Sequence, residues 1–209
     1  ARKQTGSFYT PREIVNYMVD ESLIAYLLPV IAREERPKQS VSNSEIASPA
    51  ARNDEARLRD LFSYSENPNP FNEKETEILI EAINNCKILD PACGSGAFPM
   101  GMLHKMVHIL QKLDKENIHW KALQRQKAIE ETEVAYKSDN KEEREKRLIE
   151  INDVFENNAS DYGRKLYLIE NCIYGIDIQP IAVQISKLRF FISLVVDQKE
   201  KKGENRGIR

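Results

Sequence analysis

Cysteine, histidine and tryptophan are scarce in this chain of 209 residues, which has three, three and one of them. Cys86, Cys93 and Cys172 are odd in number and show no paired spacing, which argues against a disulfide framework or a zinc ribbon and leaves three reduced thiols. His104 and His108 stand four apart on one helix face, but no glutamate intervenes as in H-E-x-x-H, so surface or core roles are expected of them rather than metal ligation. Runs of eighteen apolar residues are missing, as is a secretory signal at the start, so no membrane span and a cytoplasmic setting are expected. The chain opens on Ala1 rather than Met, which points to an excised or processed segment. An excess of positive charge is also lacking. The net charge is −2, whereas a nucleic-acid-binding unit usually shows a basic patch. The nearest candidates, Lys199, Lys201, Lys202, Arg206 and Arg209, read as a solvated tail. What remains is enough chain for one α/β domain, burying about 70% of its unfolded surface.

The most informative stretch is Ile88-Leu89-Asp90-Pro91-Ala92-Cys93-Gly94-Ser95-Gly96-Ala97-Phe98. A short apolar run ends in an acid, turns on two glycines and enters a helical pattern, as open α/β sheets do where they present a ligand at a strand's carboxyl end. A dinucleotide fingerprint would read G-x-G-x-x-G, but Pro99 stands at the third glycine position. Asp90 ahead of the loop would repel a pyrophosphate. It suits a ligand with positive charge and no phosphate, such as S-adenosylmethionine with its ammonium and sulfonium. Asp90, Pro91, Ala92, Cys93, Gly94, Ser95 and Gly96 are therefore candidate cofactor-binding residues.

A second apolar run, Cys172-Ile173-Tyr174-Gly175-Ile176-Asp177-Ile178, also ends in an acid and leads through Gln179-Pro180 into a helix. An acid after the second strand of a nucleoside-binding fold takes the two ribose hydroxyls, because a carboxylate only accepts and both hydroxyls donate. Ile178 would lie against the adenine. Taken alone, Asp177 is equally a helix-start acid favoured by the dipole. A third element opens the chain, Gly6-Ser7-Phe8-Tyr9-Thr10-Pro11-Arg12-Glu13. Thr10 and Glu13 have capping-box spacing, with Pro11 at the first helical position. Capping does not account for the aromatics Phe8 and Tyr9 ahead of it, and a helix N-terminus can hold a carboxylate such as that of a methionine moiety.

Together these strings resemble the amino-terminal part of N6-adenine DNA methyltransferases, of the type II restriction–modification kind that fuses methylation and cleavage. The matching residues are Thr-Gly-Ser-Phe-Tyr-Thr-Pro at 5–11, Leu-Asp-Pro-Ala-Cys-Gly-Ser-Gly-Ala-Phe at 89–98 and Tyr-Gly-Ile-Asp-Ile-Gln-Pro at 174–180, about a tenth of the chain. The resemblance implies that Phe8, Tyr9, Thr10 and Pro11 cover the methionine end of S-adenosylmethionine. By the same likeness Asp90 and residues 92–96 hold its amino-acid and sulfonium region, and Asp177 and Ile178 its ribose and adenine. The family's catalytic Asn/Asp-Pro-Pro-Tyr/Phe follows a fourth strand, and the chain ends before that point, so no residue here is assigned to catalysis. Asn67-Pro68-Asn69-Pro70-Phe71 comes near, but Asn69 splits the prolines and the segment precedes the glycine loop, so a turn between helices is expected. The implied parent methylates adenine N6 in a specific DNA sequence and recognises DNA through parts absent here. An RNA or protein methyltransferase, and a non-catalytic cofactor-binding or assembly module, stay open beside it.

The expected fold is α/β, a truncated Rossmann-like methyltransferase fold. Residues 1–86 form an amino-terminal helical region carrying the cofactor-capping segment, and residues 87–209 a partial methyltransferase domain. A helix from Thr10 to about Leu28 presents Ile14, Val15, Met18, Val19, Ala25 and Tyr26 on one face. A polar connector follows around Arg33–Ala56, then a helix over about Asn72–Asn84, a strand at Lys87–Asp90, and a helix over Gly96–Lys112 with Leu103, Met106, Val107 and Leu110 on one face. Asp177 stands about eighty residues beyond Gly96, where about twenty are usual. The excess, about 113–165, reads as an inserted helical hairpin turning near Ser138-Asp139-Asn140. It would be either a solvated cover over the sheet or a lid or dock. In the last helix Ile181, Ile185, Leu188, Ile192 and Val195 form a stripe expected to pack on the sheet. The missing later strands are expected to leave one sheet edge and part of an apolar face open, with limited stability or association as the result.

Overall fold

The computed structural model describes residues 10–35, 49–135 and 160–196. It is mostly helical, with a small parallel sheet of two strands. In chain order the elements are α1 (Arg12–Glu35), α2 (Pro49–Phe62), α3 (Glu73–Asn85), β1 (Ile88–Asp90), α4 (Ala97–Leu113), α5 (Ile118–Ala135), α6 (Ser160–Asn171), β2 (Ile173–Gly175) and α7 (Pro180–Val195).

The core gathers on α4, whose buried face includes Met102, Leu103, Met106, Val107, Ile109 and Leu110. Against it and one another pack α1, α2 and α3 through Val19, Leu23, Leu27, Leu58, Leu61, Leu79 and Ile83. Of the expected stripe of α1 only Val15 and Val19 are buried, while Ile14, Met18, Ala25 and Tyr26 are exposed and Leu23, Leu27 and Ile31 complete the inner face. Its first intrahelical bond runs from the Val15 N–H to the Pro11 carbonyl at 3.1 Å, one residue later than the capping-box spacing predicts. By length and composition α1 is long and apolar enough to cross a membrane over Arg12–Arg33. Here its inner face belongs to the core, and Asp20 from it meets Lys105 of α4 at 2.9 Å.

The connector expected around Arg33–Ala56 is helical at both ends, in α1 to Glu35 and in α2 from Pro49. Its polar composition hid an i, i+3, i+4 face in Leu58, Leu61 and Phe62, which is what α2 buries. The helix expected over Asn72–Asn84 is found over Glu73–Asn85, with a capping box of Asn72 and Glu75. The turn before it is structural, as expected. The Asn69 side chain bonds Thr76 and the Phe71 N–H, and Arg57 lies over the buried Phe71 ring while pairing with Glu75.

Among the described residues of the expected insertion stand α5 and the first part of α6, and the turn expected near 138–140 lies outside the described residues. Asp114 caps α5 by accepting from the N–H groups of Ile118 and Trp120 at 2.9 Å each. The main packing partner of α5 is α3, not the sheet it was expected to cover. Trp120 is buried and meets Tyr167 edge-on, Gln124 bonds Asn84, and Tyr167 Oη donates to the Asn84 carbonyl. Trp120 and Gln124 are both buried, so α5 is anchored on the core.

The strands pair in parallel with Ile88 beside Ile173, Leu89 beside Tyr174 and Asp90 beside Gly175. Ile88 points into the core, whereas Leu89 and Tyr174 are exposed on the other face. The stripe expected to bind α7 to the sheet faces outward, since Ile181, Ile185, Leu188, Ile192 and Val195 are all exposed. The face of α7 turned inward instead centres on Ser186, with Phe190 half-buried against the core. The reason lies in the site described next, which demands a small side chain from α7.

Candidate functional site

Parallel register brings the two acidic strand ends to one edge of the sheet. Asp90 closes β1 opposite Gly175, and Asp177 follows two residues later. The chain continues their pairing past the strands. The Ile176 N–H donates to the Asp90 carbonyl at 2.9 Å, and the Cys93 N–H to the Ile176 carbonyl at 3.0 Å. The loop from Asp90 to Gly96 is thereby stitched to the segment after β2.

Both carboxylates shape that loop. Asp90 Oδ1 accepts from the Ala92 N–H at 3.1 Å, fixing the turn. Asp177 Oδ2 accepts from the Gly94 N–H at 2.8 Å and its Oδ1 from the Gln179 N–H at 2.7 Å. Asp177 therefore ties the loop and starts α7. A carboxylate has about four lone-pair positions, and two remain for a ligand's hydroxyls. Pro91, Ala92 and Ser95 are exposed along this edge, and Ile178 is 92% exposed beside Asp177. Cys93 turns inward instead. Burial first, and then the Asp90 and Asp177 charges, push its thiol above the usual range, so it is neutral at neutral pH.

Gly96 adopts φ +81° at the cap of α4, with no side-chain bond to the first turn. A Cβ there would overlap Ser186 Oγ of α7. One turn further along α7, Arg189 Nη1 donates to the Ser95 carbonyl at 2.9 Å. Sequence reasoning missed both residues. Neither left a local signal, since α7 also carries Gln184, Lys187 and Ser193 among its apolar residues.

Of the amino-terminal candidates, Thr10 is half-buried and Pro11 exposed, while Phe8 and Tyr9 lie outside the described residues. The place of Thr10 and Pro11 is set by the packing of α1 on α4. Val15 sits against Gly101, where a Cβ would come to 2.7 Å of Val15 Cγ1, and Asp20 further along α1 meets Lys105 further along α4. The two helices thus run in the same sense, and the start of α1 lies at the end of α4 that carries the glycine loop. A cavity of about 340 Å³ between α1, α2 and α4 lies away from this edge. Its lysine is satisfied, because Lys105 Nζ donates to the Phe62 carbonyl at 2.9 Å, pairs with Asp20 and lies 4.7 Å from the Tyr64 ring centre.

The donor set fits S-adenosylmethionine. Two carboxylates line the edge, and the Arg189 guanidinium beside it is engaged by the Ser95 carbonyl, so the carboxylates are what favours a positively charged ligand without phosphate over a dinucleotide. Free lone pairs on Asp177 suit a ribose, and the exposed Ile178 a purine face.

Over 194 residues, 93% of its length, the chain is 26% identical to a protein of Methanocaldococcus jannaschii provisionally named a type II restriction enzyme and methyltransferase. The chain has a restriction–modification relative. It spans 12% of that relative's length. No protein-family model matches the chain, and no solved structure does.

Proposed function

We propose that this chain is the cofactor-binding part of an S-adenosylmethionine-dependent DNA methyltransferase that acts on adenine N6 in restriction–modification, in the cytoplasm. One observation carries the reading. The parallel pairing of β1 and β2 sets Asp90 and Asp177 at one sheet edge, on either side of the Ala92–Gly96 loop. The relationship to the M. jannaschii protein supports a methyltransferase at the coarse level; the adenine target rests on the resemblance of the three strings.

In this reading Asp177 accepts from the ribose hydroxyls with the lone pairs its backbone bonds leave free, and Ile178 covers the adenine. Asp90 and residues 91–96 hold the amino-acid end. Phe8, Tyr9, Thr10 and Pro11 close over it from the start of α1. Bound S-adenosylmethionine would supply a methyl group on a sulfonium, already a good leaving group, so positioning carries most of the rate. The two half-sheets of a Rossmann-like methyltransferase fold place a ligand at such an edge, and β1-α4-β2-α7 serves as the beginning of one. No Asn/Asp-Pro-Pro-Tyr/Phe string occurs in the 209 residues, so base extrusion and methyl transfer are assigned to other parts of the parent protein, as is DNA recognition.

Competition binding tests the reading. S-adenosylmethionine and S-adenosylhomocysteine should displace each other from one site, while ATP and NAD at the same concentrations should not. Displacement by ATP or NAD would mean a phosphate-binding loop and overturn it.

A further inference from the structure

The Asp90–Gly96 loop is held from α7 at two points one helical turn apart. Ser186 packs against Gly96, and Arg189 Nη1 bonds the Ser95 carbonyl at 2.9 Å. Residues at i and i+3 share one helix face, so both grips come from the same side. The loop is also tied by the Gly94 N–H to Asp177, by the Cys93 N–H and the Ile176 N–H pairing Ile176 with Cys93 and Asp90, and internally by the Ala92 N–H to Asp90 and the Gly96 N–H to the Cys93 carbonyl. Of these, the Arg189 bond is the one made by a side chain that the apolar packing of α7 does not require. Arg189 is exposed, and this is the bond it makes among the described residues.

We propose that Arg189 is a positioning residue for the cofactor loop, keeping the Ser95–Gly96 peptide in its binding orientation before a ligand arrives. The inference rests on the methyl-donor reading of the site. A loop ordered beforehand spares the ligand the entropy of ordering it. Without the guanidinium the Ser95 carbonyl loses its partner, the peptide keeps only the bond from the Gly96 N–H to the Cys93 carbonyl at 2.8 Å, and part of the ordering cost falls on binding instead. A lysine reaches the same carbonyl with a point charge but lacks the planar fork, so it restores the latch in part.

Two measurements on wild type, Arg189→Ala and Arg189→Lys separate the latch from the site. Amide hydrogen exchange of the unliganded protein reads the latch alone. In Arg189→Ala the amides of residues 93–97 should exchange about three- to tenfold faster, with those of α3 unchanged, and Arg189→Lys should fall between. Titration with S-adenosylmethionine reads the consequence, a Kd raised about three- to tenfold in Arg189→Ala, partly restored in Arg189→Lys, with the unliganded melting temperature unchanged. Unchanged loop exchange, unchanged affinity beside a wild type that binds, or faster exchange throughout the molecule would overturn the latch. Faster loop exchange in a protein whose wild type binds no S-adenosylmethionine would uphold the latch as a loop clasp and overturn the methyl-donor reading instead.

Discussion

At Gly96, two separate physical demands meet, and substitution can tell them apart. The residue needs φ +81° and also leaves no room for a Cβ beside Ser186. Gly94 needs φ +54° but faces open space. Gly94→Ala should therefore lose about 1–2 kcal/mol for the left-handed backbone alone. Gly96→Ala adds an overpacking cost of about 1–3 kcal/mol. Ser186→Gly should recover part of the second loss and none of the first. Chemical denaturation of Gly94→Ala and Gly96→Ala, each with and without Ser186→Gly, checks this, and equal losses at Gly94 and Gly96 would contradict the contact with α7. That the acids and glycines meet at one sheet edge was legible because strand ends and tight turns leave a local pattern. Ser186 and Arg189 were not, because their partners lie about ninety residues away and no local pattern encodes the approach.

Helix by helix, legibility followed how much of the burial is decided locally. The extent of α3, expected over about Asn72–Asn84, and the buried face of α4 were readable because a 3.6-residue period is local. The start of α2 was not, since its polar first turns outweighed Leu58, Leu61 and Phe62. The orientation of α7 was misread for a physical reason. Its strongest apolar stripe is exposed, while a weaker face is chosen by the close fit of Ser186 on Gly96. The contact between α1 and α4 gives a test at this scale. Gly101→Ala would gain about 1 kcal/mol of helix propensity, yet its Cβ would stand 2.7 Å from Val15 Cγ1 and 3.1 Å from Val19 Cγ2. Val15 is stiff at χ1, so net destabilisation is expected, and Val15→Ala in that background should recover part of it. Additive effects of the two substitutions in a double-mutant cycle would contradict the same-sense packing that brings Thr10 and Pro11 toward the loop.

Taken whole, the molecule has a well-filled helical core and an apolar exterior along α7 and the outer sheet face. Ile178, Ile181, Leu188 and Val196 are each more than half exposed, as is Leu89. Contiguous exposed apolar surface lowers solubility, so Ile181→Lys with Leu188→Lys should raise the precipitation limit without shifting the melting temperature; a matching loss of stability would mean that the stripe is packed. The buried thiols set an alkaline limit. Burial, with the neighbouring Cys172, pushes Cys86 up to about 11 from an ordinary 9.0. A folded-state value above the unfolded one means that the unfolded chain loses its proton first. This contribution to stability is intact below about pH 9 and is lost as pH rises toward 11. Cys86→Ala should flatten part of that decline in a pH series of denaturation midpoints, and an unchanged slope would contradict the burial. The central claim, that two strand-end carboxylates form a methyl-donor site, is tested most directly by calorimetric titration of S-adenosylmethionine into wild type and Asp177→Asn. Hydrogen bonds to a charged partner contribute about 1.5–3 kcal/mol, so saturable binding that weakens about ten- to a hundredfold in the variant is expected. Equal affinity in the two proteins, or no saturable binding by the folded wild type, would contradict it.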